Sequence, residues 1–233
     1  DLWLRISERY RMKTIPDVLA KYRIYTGSMW TNAERMHVNR LAALTKRFGG
    51  IEASPSTWSA EKRMVYGFAF RASAIGYLQQ GDREVAWRLL GTAVNYWPPL
   101  LRRLDTFYEF ACGEQARGYR GVAVGLDIEA HGAELLHGLE RIFAGGSSAI
   151  RENEPVALGL AFLALEMLHE QAGNWDEARN YILKAMAADP SLLRSRLFGR
   201  RIAKLFLGQR AARWIARRTS RPDHLPTNQA HNS

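Results

Sequence analysis

The chain has 233 residues, of which 47% are hydrophobic and 24% are charged, proportions typical of a soluble globular protein with one or two domains. No apolar run reaches the roughly 18 to 20 residues that a membrane-spanning helix requires. The single cysteine, Cys112, cannot form an internal disulfide, which excludes a disulfide-stapled scaffold. Its apolar setting predicts a buried structural thiol.

A short amphipathic helix is predicted at the start of the chain. Leu2, Ile6 and Tyr10 recur four residues apart and therefore share one helix face. Asp1 precedes them, where a carboxylate suits the positive end of the helix dipole. An Asp in place of an initiating Met suggests a truncated or excised chain.

A strand and a tight turn are predicted next. Residues 15–17 (Ile-Pro-Asp) interrupt the helix, and residues 18–25 are rich in β-branched and aromatic side chains, which favours a strand. Residues 26–28 (Thr-Gly-Ser) predict a turn at its end.

Three short motifs in this region resemble the C-terminal end of a family 2 glycosyltransferase domain. They are Asp-Leu-Trp-Leu-Arg at 1–5, Ile-Pro-Asp-Val-Leu at 15–19 and Tyr-Arg-Ile-Tyr-Thr-Gly-Ser-Met at 22–29. The resemblance covers residues 1–48, about a fifth of the chain. In that family a Glu-Asp pair usually precedes such a segment, and its Asp is the catalytic base.

The resemblance implies an enzyme that transfers a sugar from a nucleotide-sugar donor to a glycan or lipid-linked acceptor in bacterial surface polysaccharide synthesis. It implies a cytoplasmic location, with peripheral contact at the inner membrane face. It also implies a divalent metal, Mg²⁺ or Mn²⁺, whose ligands are not in this chain. Because the base and the nucleotide-binding half would precede residue 1, we expect this fragment to be inactive and to contain no catalytic residue.

Two candidate substrate-binding residues lie in the opening motif. Asp1 would stand beside the missing base and bind an acceptor hydroxyl; the alternative is a helix N-cap. Trp3 would offer a flat apolar face to a sugar ring; the alternative is core packing.

Three further candidates lie in the strand and turn. Arg23 would pair with the donor diphosphate, as guanidinium groups do, or it is a surface arginine. Tyr25 stands where the family often has His, and a phenol is a poor metal ligand near neutral pH. Ser28 would donate a hydrogen bond to phosphate, or it only closes the turn.

A second helix and a domain boundary follow. Residues 31–34 (Thr-Asn-Ala-Glu) have the spacing of a capping box. The helix after them carries one stripe, interpreted as a packing face: His37, Leu41, Leu44 and Phe48. Gly49 and Gly50 end it, and residues 51–57 predict a linker between a glycosyltransferase remnant (1–50) and a helical domain (58–221).

The helical domain contains an internal repeat. Five residues recur 92 positions later: Gly81, Ala86, Leu90, Ala93 and Pro98 match Gly173, Ala178, Ile182, Ala185 and Pro190. Their spacing resembles tetratricopeptide repeats, with Tyr77 at the position of the first helix's tyrosine. We therefore predict a mainly α chain: a truncated α/β glycosyltransferase tail followed by an α-solenoid-like, tetratricopeptide-like domain.

The predictions between and within the two copies are coarser. Residues 99–150 predict two or three irregular helices, with apolar stripes at 100–111 and 122–143 and a turn at 144–148. Residues 174–177 predict a second capping box. His131 and His137 lie six residues apart, on different sides of a helix, and are therefore interpreted as solvated polar residues rather than metal ligands.

The net charge of +10 belongs to one segment, because residues 194–221 contain ten Lys or Arg and no Asp or Glu. Three interpretations remain open: contact with an anionic membrane surface, nucleic-acid binding, and a terminal helix that caps the domain with a solvated basic face. Nucleic-acid binding is disfavoured because no aromatic stacking platform accompanies the charge. Residues 222–233 predict a disordered tail. The alternative function for the whole chain is a non-catalytic helical module that binds a protein partner.

Overall fold

The computed structural model describes residues 2–15, 17, 19–20, 32–51, 54–116, 118–196 and 198–206. The α-helices are α1 Leu2–Arg9, α2 Ala33–Phe48, α3 Ala60–Gln79, α4 Arg83–Tyr96, α5 Leu104–Ala111, α6 Ile128–Gly145, α7 Ser148–Arg151, α8 Glu154–Gln171 and α9 Trp175–Ala188. Residues 198–206 are also helical. Short 3₁₀ helices lie at Pro55–Thr57, Pro98–Arg102 and Pro190–Arg194. The mainly α prediction is confirmed for this part of the chain.

Helix α1 confirms the predicted opening helix, and its face with Leu2 is exposed to solvent, as is Tyr10 just after it. The strand predicted at 18–25 lies almost wholly outside the described residues. Only Leu19 and Ala20 of that stretch are described, and neither is in a strand. The turn predicted at 26–28 also lies outside them.

The internal repeat forms two helical hairpins, α3–α4 and α8–α9. Gly81 and Gly173 end the first helix of each hairpin with positive φ angles of 83° and 78°, a conformation that glycine adopts without steric cost. The next backbone amide closes each cap. The Asp82 amide donates to the Tyr77 carbonyl at 3.0 Å, and the Asn174 amide donates to the His169 carbonyl at 2.8 Å. The two glycines therefore act as equivalent C-terminal stops.

The second helix of each hairpin ends in the same way. Trp97 and Asp189 leave the helical conformation with φ angles of −141° and −137°. Pro98 and Pro190 then begin the two 3₁₀ helices, as expected for a residue that cannot continue an α-helix. The tetratricopeptide-like assignment itself stays a prediction.

One core joins the hairpins through α5 and α6, which pack against α8. Its largest fully buried side chains include Tyr66, Phe107, Leu100, Leu101, Leu135, Leu139, Ile150 and Leu165. Helix α2 packs on α3 and contributes Leu44 to this core. Packing therefore crosses the linker predicted at 51–57, while the assignment of residues 1–50 to a separate catalytic domain stays a prediction.

Several local predictions need correction. The N-cap of α2 is Asn32, whose side chain accepts a hydrogen bond from the Arg35 amide at 2.8 Å, rather than Thr31. Asn174 is the N-cap of α9 but makes no side-chain cap bond. Helix α6 begins at Ile128 rather than 122, because Asp127 caps it by accepting from the Ala130 amide.

The described part of the basic segment packs onto the domain. Phe198 and Leu205 are 1% and 3% exposed, and Arg201 pairs with Glu166 of α8. Within residues 198–206 this agrees with a terminal capping helix; residues 207–221 and the predicted tail at 222–233 lie outside the described residues. Across the described chain, no helix combines the length and apolar character needed to cross a membrane.

Candidate functional site

The five substrate-binding residues predicted from the sequence are not placed by the structure. Asp1, Arg23, Tyr25 and Ser28 lie outside the described residues. Trp3 belongs to α1, but its side chain is outside the described part. All five assignments stay predictions.

Metal ligands are also not identified. Among the described residues, no group of three or more His, Cys, Asp or Glu side chains could hold a metal ion. The divalent metal that the resemblance implies, with ligands outside this chain, stays a prediction. The prediction of two solvated histidines is wrong for His131, which packs against Gly113 with Nδ1 buried and without a hydrogen-bond partner among the described residues. His137 is 70% exposed and lies 3.6 Å from Glu140, as a solvated side chain would.

The described helices form a different candidate site, a pocket of about 360 Å³ between α2, α3 and the region of α5. We call it the arginine pocket. Its lining is charged and small, and it comprises Ala33, Met36, Arg40, Arg71, Ala72, Ser73, Ile75, Gly76, Gln79, Asp105, Glu109 and Arg120. Three arginines and two carboxylates leave one positive charge uncompensated.

Small residues let α2 and α3 approach closely at the pocket. Ala33 is 4% exposed, and a β-carbon added at Gly76 would lie 3.6 Å from the Ala33 Cβ. Because this contact holds α2 against α3, Arg40 lies close enough to donate a hydrogen bond to Ser73. The small side chains at the contact between α2 and α3 thus determine where Arg40 lies in the pocket.

A polar contact at Ser73 joins the two helices. Arg40 Nη1 donates to Ser73 Oγ at 2.6 Å, and His37 Nδ1 lies 2.9 Å from the same oxygen. The Ser73 hydroxyl donates to the Ala69 carbonyl at 3.0 Å. The His37 ring packs edge-on against Phe70 at 5.4 Å. Burial, together with the Arg40 charge, lowers the pKa of His37, so this side chain is a neutral packing residue as predicted.

Arg71 is held by an acid and a hydroxyl. Its side chain is 12% exposed, with Nη2 3.0 Å from Asp105 Oδ2 and Nε donating to Thr106 Oγ1 at 2.8 Å. Asp105 is shared with Arg103, whose Nε lies 2.9 Å from Oδ1. The Asp105 charge is therefore compensated by two guanidinium groups, and despite burial these contacts lower its pKa.

Arg120 is fully engaged with its surroundings. Its side chain is 10% exposed and its Nε donates to Glu109 Oε2 at 2.8 Å. Nη1 donates to the carbonyls of Gly113 and Gln115, and Nη2 donates to the Glu109 carbonyl. These contacts fix the loop after α5 against the helix and form one wall of the pocket.

Arg40 differs from the other two arginines because no carboxylate in the described chain pairs with it. Its only hydrogen bond within those residues goes to Ser73, which leaves Nε and Nη2 without a partner there. Burial lowers the pKa of Arg40, and no nearby acid opposes that effect. A half-buried guanidinium of this kind has a strong electrostatic preference for an anion.

Sequence reasoning missed this pocket. Arg40, Arg71, Asp105 and Arg120 span 80 positions, and helical periodicity does not tell which helices meet. The one available signal was local: Arg40 follows His37 by three residues and therefore shares its packing face. Comparison with known proteins found no family, curated protein or solved structure that matches this chain.

Proposed function

We propose that this chain is the C-terminal part of a nucleotide-sugar-dependent glycosyltransferase that acts on a glycan or lipid-linked acceptor in surface polysaccharide synthesis. The observation that supports the proposal is the order and spacing of the three motifs at 1–5, 15–19 and 22–29. The proposal requires a nucleotide-binding half and a catalytic base ahead of residue 1. These 233 residues alone are then expected to transfer no sugar.

In the proposed reaction a base removes the proton of an acceptor hydroxyl, whose oxygen attacks the anomeric carbon as the nucleoside diphosphate leaves. A divalent metal, when bound, would neutralise charge on that leaving group. Arg23 would pair with the diphosphate and Ser28 would donate a hydrogen bond to it. Asp1 would orient an acceptor hydroxyl, and Trp3 and Tyr25 would contact a sugar ring.

Under this proposal, chain connectivity would bring the sugar-transfer site near the arginine pocket. Ser28 precedes Asn32, the N-cap of α2, by four residues, and four residues span at most about 14 Å. Ala33 already lines the pocket. An acceptor bound near the motif at 22–29 would therefore be within reach of the first turns of α2.

The proposal is tested in the full-length gene product with a panel of nucleotide sugars. Arg23→Ala is expected to reduce kcat/KM by at least about a hundredfold, because a charge-assisted contact with the leaving group is lost. The matched control is Arg141→Ala, at an exposed position of α6, which should retain wild-type rates. Wild-type rates for Arg23→Ala would contradict the role of Arg23. Transfer by the 233-residue chain alone would contradict the domain assignment.

A non-catalytic interaction module is the second candidate function. It is favoured by the two equivalent hairpins, because repeated helix pairs commonly build surfaces for protein partners. The upstream sequence discriminates between the candidates. A parallel α/β pattern with an Asp-x-Asp metal motif and a Glu-Asp pair before Asp1 would support the enzyme. Its absence, together with no transfer by the full-length protein, would support the module.

We also propose peripheral membrane contact through the basic segment at residues 194–221. Within its described part, Arg201 and Lys204 pair with acidic residues of α8, whereas Arg200 and Phe206 are exposed. Co-sedimentation with vesicles containing anionic lipid tests the idea. Binding to anionic but not neutral vesicles, weakened on deletion of residues 207–233, is the expected result. Equal and negligible binding to both would contradict it.

A further inference from the structure

We propose that the arginine pocket binds a small phosphate ester that carries hydroxyl groups, a ligand of sugar-phosphate type, with Arg40 as its principal contact. The inference stands apart from the glycosyltransferase proposal, because every residue that carries it lies in the described helices and the adjoining loop. It assigns a ligand class to a pocket for which sequence reasoning predicted no role.

The net positive charge of the pocket lining favours an anionic ligand. The two carboxylates of the lining are already neutralised, Asp105 by Arg71 and Arg103 and Glu109 by Arg120. The Arg40 charge is the one in the lining without a counter-charge among the described residues. An anion in the pocket would therefore meet net positive charge in a partly desolvated setting, where charge-assisted hydrogen bonds are strongest.

The guanidinium N–H groups that have no partner in the described chain favour a phosphate among the possible anions. Arg40 Nε and Nη2, together with Arg71 Nη1, make no hydrogen bond to any residue that the structure describes. Planar guanidinium edges bind the oxygens of a phosphate in a paired, bidentate manner. Two arginines with free edges on one small pocket thus provide a phosphate-binding arrangement, with Ser73 as the fixed point that holds Arg40.

The volume and the lining residues of the pocket favour a compact ligand with hydroxyl groups. The volume of about 360 Å³ lies at the lower end of ligand pockets, which suits a phosphorylated sugar better than a nucleotide sugar. No aromatic side chain lines the pocket, so a nucleobase would find no stacking surface. The Gln79 amide has no partner in the described chain, and the half-exposed Asp105 carboxylate is able to accept from hydroxyls.

The test is isothermal titration calorimetry on the 233-residue chain with glucose 6-phosphate, inorganic phosphate, glucose and uridine diphosphate. Glucose 6-phosphate is expected to bind with a Kd below about 1 mM, inorganic phosphate about tenfold more weakly, and glucose not measurably. Raising the salt concentration should weaken the binding. No heat from glucose 6-phosphate at concentrations of about 10 mM would overturn the proposal. Uridine diphosphate binding more tightly than glucose 6-phosphate would overturn the ligand class.

Two variants with a matched control locate the binding. Arg40→Met keeps an unbranched stem and removes the charge, so affinity for glucose 6-phosphate should fall at least about tenfold. Arg35→Met makes the same change at an exposed position of the same helix and should bind as wild type. Equal losses in both variants, or no loss in Arg40→Met, would overturn the assignment.

Arg40→Lys keeps the charge but not the planar fork, and it serves if Arg40→Met fails to fold, as judged by circular dichroism. A weakening of at least about threefold is expected, and unchanged affinity would overturn the proposed guanidinium contact.

Discussion

Gly67 of α3 lies so close to Trp97 that a β-carbon built on the glycine would stand 2.6 Å from the tryptophan Cβ. The second hairpin has the same relationship 92 positions later, where a β-carbon on Gly159 would stand 2.8 Å from the Asp189 Cβ. Each glycine also faces the carbonyl of the alanine four residues before that partner. The absence of a side chain therefore sets how closely the two helices of each hairpin pack.

We predict that Gly67→Ala destabilises the chain by about 1–3 kcal/mol, because a methyl group there must push the helices apart. Both contacts at Gly67 are short, and neither is the end of a flexible side chain: the Trp97 Cβ at 2.6 Å and the Ala93 carbonyl at 3.2 Å. Urea unfolding followed by circular dichroism gives the change in the free energy of unfolding. Gly159→Ala should show a loss of similar size.

Gly91→Ala is the matched control for this prediction. Gly91 is also helical, in α4, but a β-carbon there meets nothing within 4 Å. The substitution should stabilise the chain by about 0.5–1 kcal/mol through helix propensity alone. Equal effects at Gly67 and Gly91 would contradict the close-packing argument.

The hairpins were predictable because their signals are local. Gly81 and Gly173 end helices through a backbone conformation that few other residues adopt, and Pro98 and Pro190 cannot continue an α-helix. The displacement of 92 residues then identified the second copy without any knowledge of packing. Extending the same displacement to Gly67 would have found the close contact as well.

The arginine pocket was not predictable, because it depends on which helices meet. The sequence does not say that Arg40 reaches Ser73 or that Arg71 lies beside Asp105; packing of α2 and the start of α5 on α3 decides both. The prediction of Thr31 as the N-cap of α2 was wrong for a related reason. Thr31 and Asn32 are both good cap residues, so local preference alone could not choose between them.

Arg201→Met is predicted to destabilise the chain by about 3 kcal/mol, because it leaves the Glu166 carboxylate without its counter-ion. Glu166 is 0% exposed, and Arg201 Nη2 donates to its Oε1 at 3.0 Å. Burial raises the pKa of Glu166 despite this partner, which shows how strongly the site disfavours a lone carboxylate. Urea unfolding measures the loss.

A double variant separates the charge from the packing at this contact. Glu166→Gln with Arg201→Met removes both charges, so it should be less destabilised than Arg201→Met alone. Asp176→Asn serves as the control, since the Asp176 ion pair with Arg179 is exposed and contributes less than about 1 kcal/mol. Additive losses in the double variant would contradict the coupling between Glu166 and Arg201.

The Cys112 thiol is predicted to react slowly in the folded chain. It is 0% exposed, and burial raises its pKa to about 11, so little thiolate forms near neutral pH. With Ellman's reagent at about pH 8, the folded chain should react at least about a hundredfold more slowly than the chain unfolded in urea. The chain has one cysteine, so the signal has one source. Rapid reaction in buffer would contradict burial of the thiol.

Acid is predicted to destabilise the fold through His169 of α8. Its side chain is 2% exposed and stacks on Tyr181 at 5.1 Å. Neither ring nitrogen has a hydrogen-bond partner among the described residues. Burial lowers the pKa of His169, although the carboxylates of Glu129 on α6 and Glu177 on α9 act in the opposite direction.

The unfolded chain therefore takes up a proton on this histidine more readily than the folded chain does. The contribution of His169 is fully present above its unfolded pKa of about 6.5 and is lost as the pH falls below that value. In His169→Phe the free energy of unfolding should decrease less between about pH 7.5 and about pH 5 than in the wild type.

His137→Gln, at a side chain that is 70% exposed, should follow the wild-type pH dependence. Burial lowers the pKa of His37 too, so His169→Phe should keep part of the acid sensitivity. An unchanged pH dependence in His169→Phe would contradict the argument.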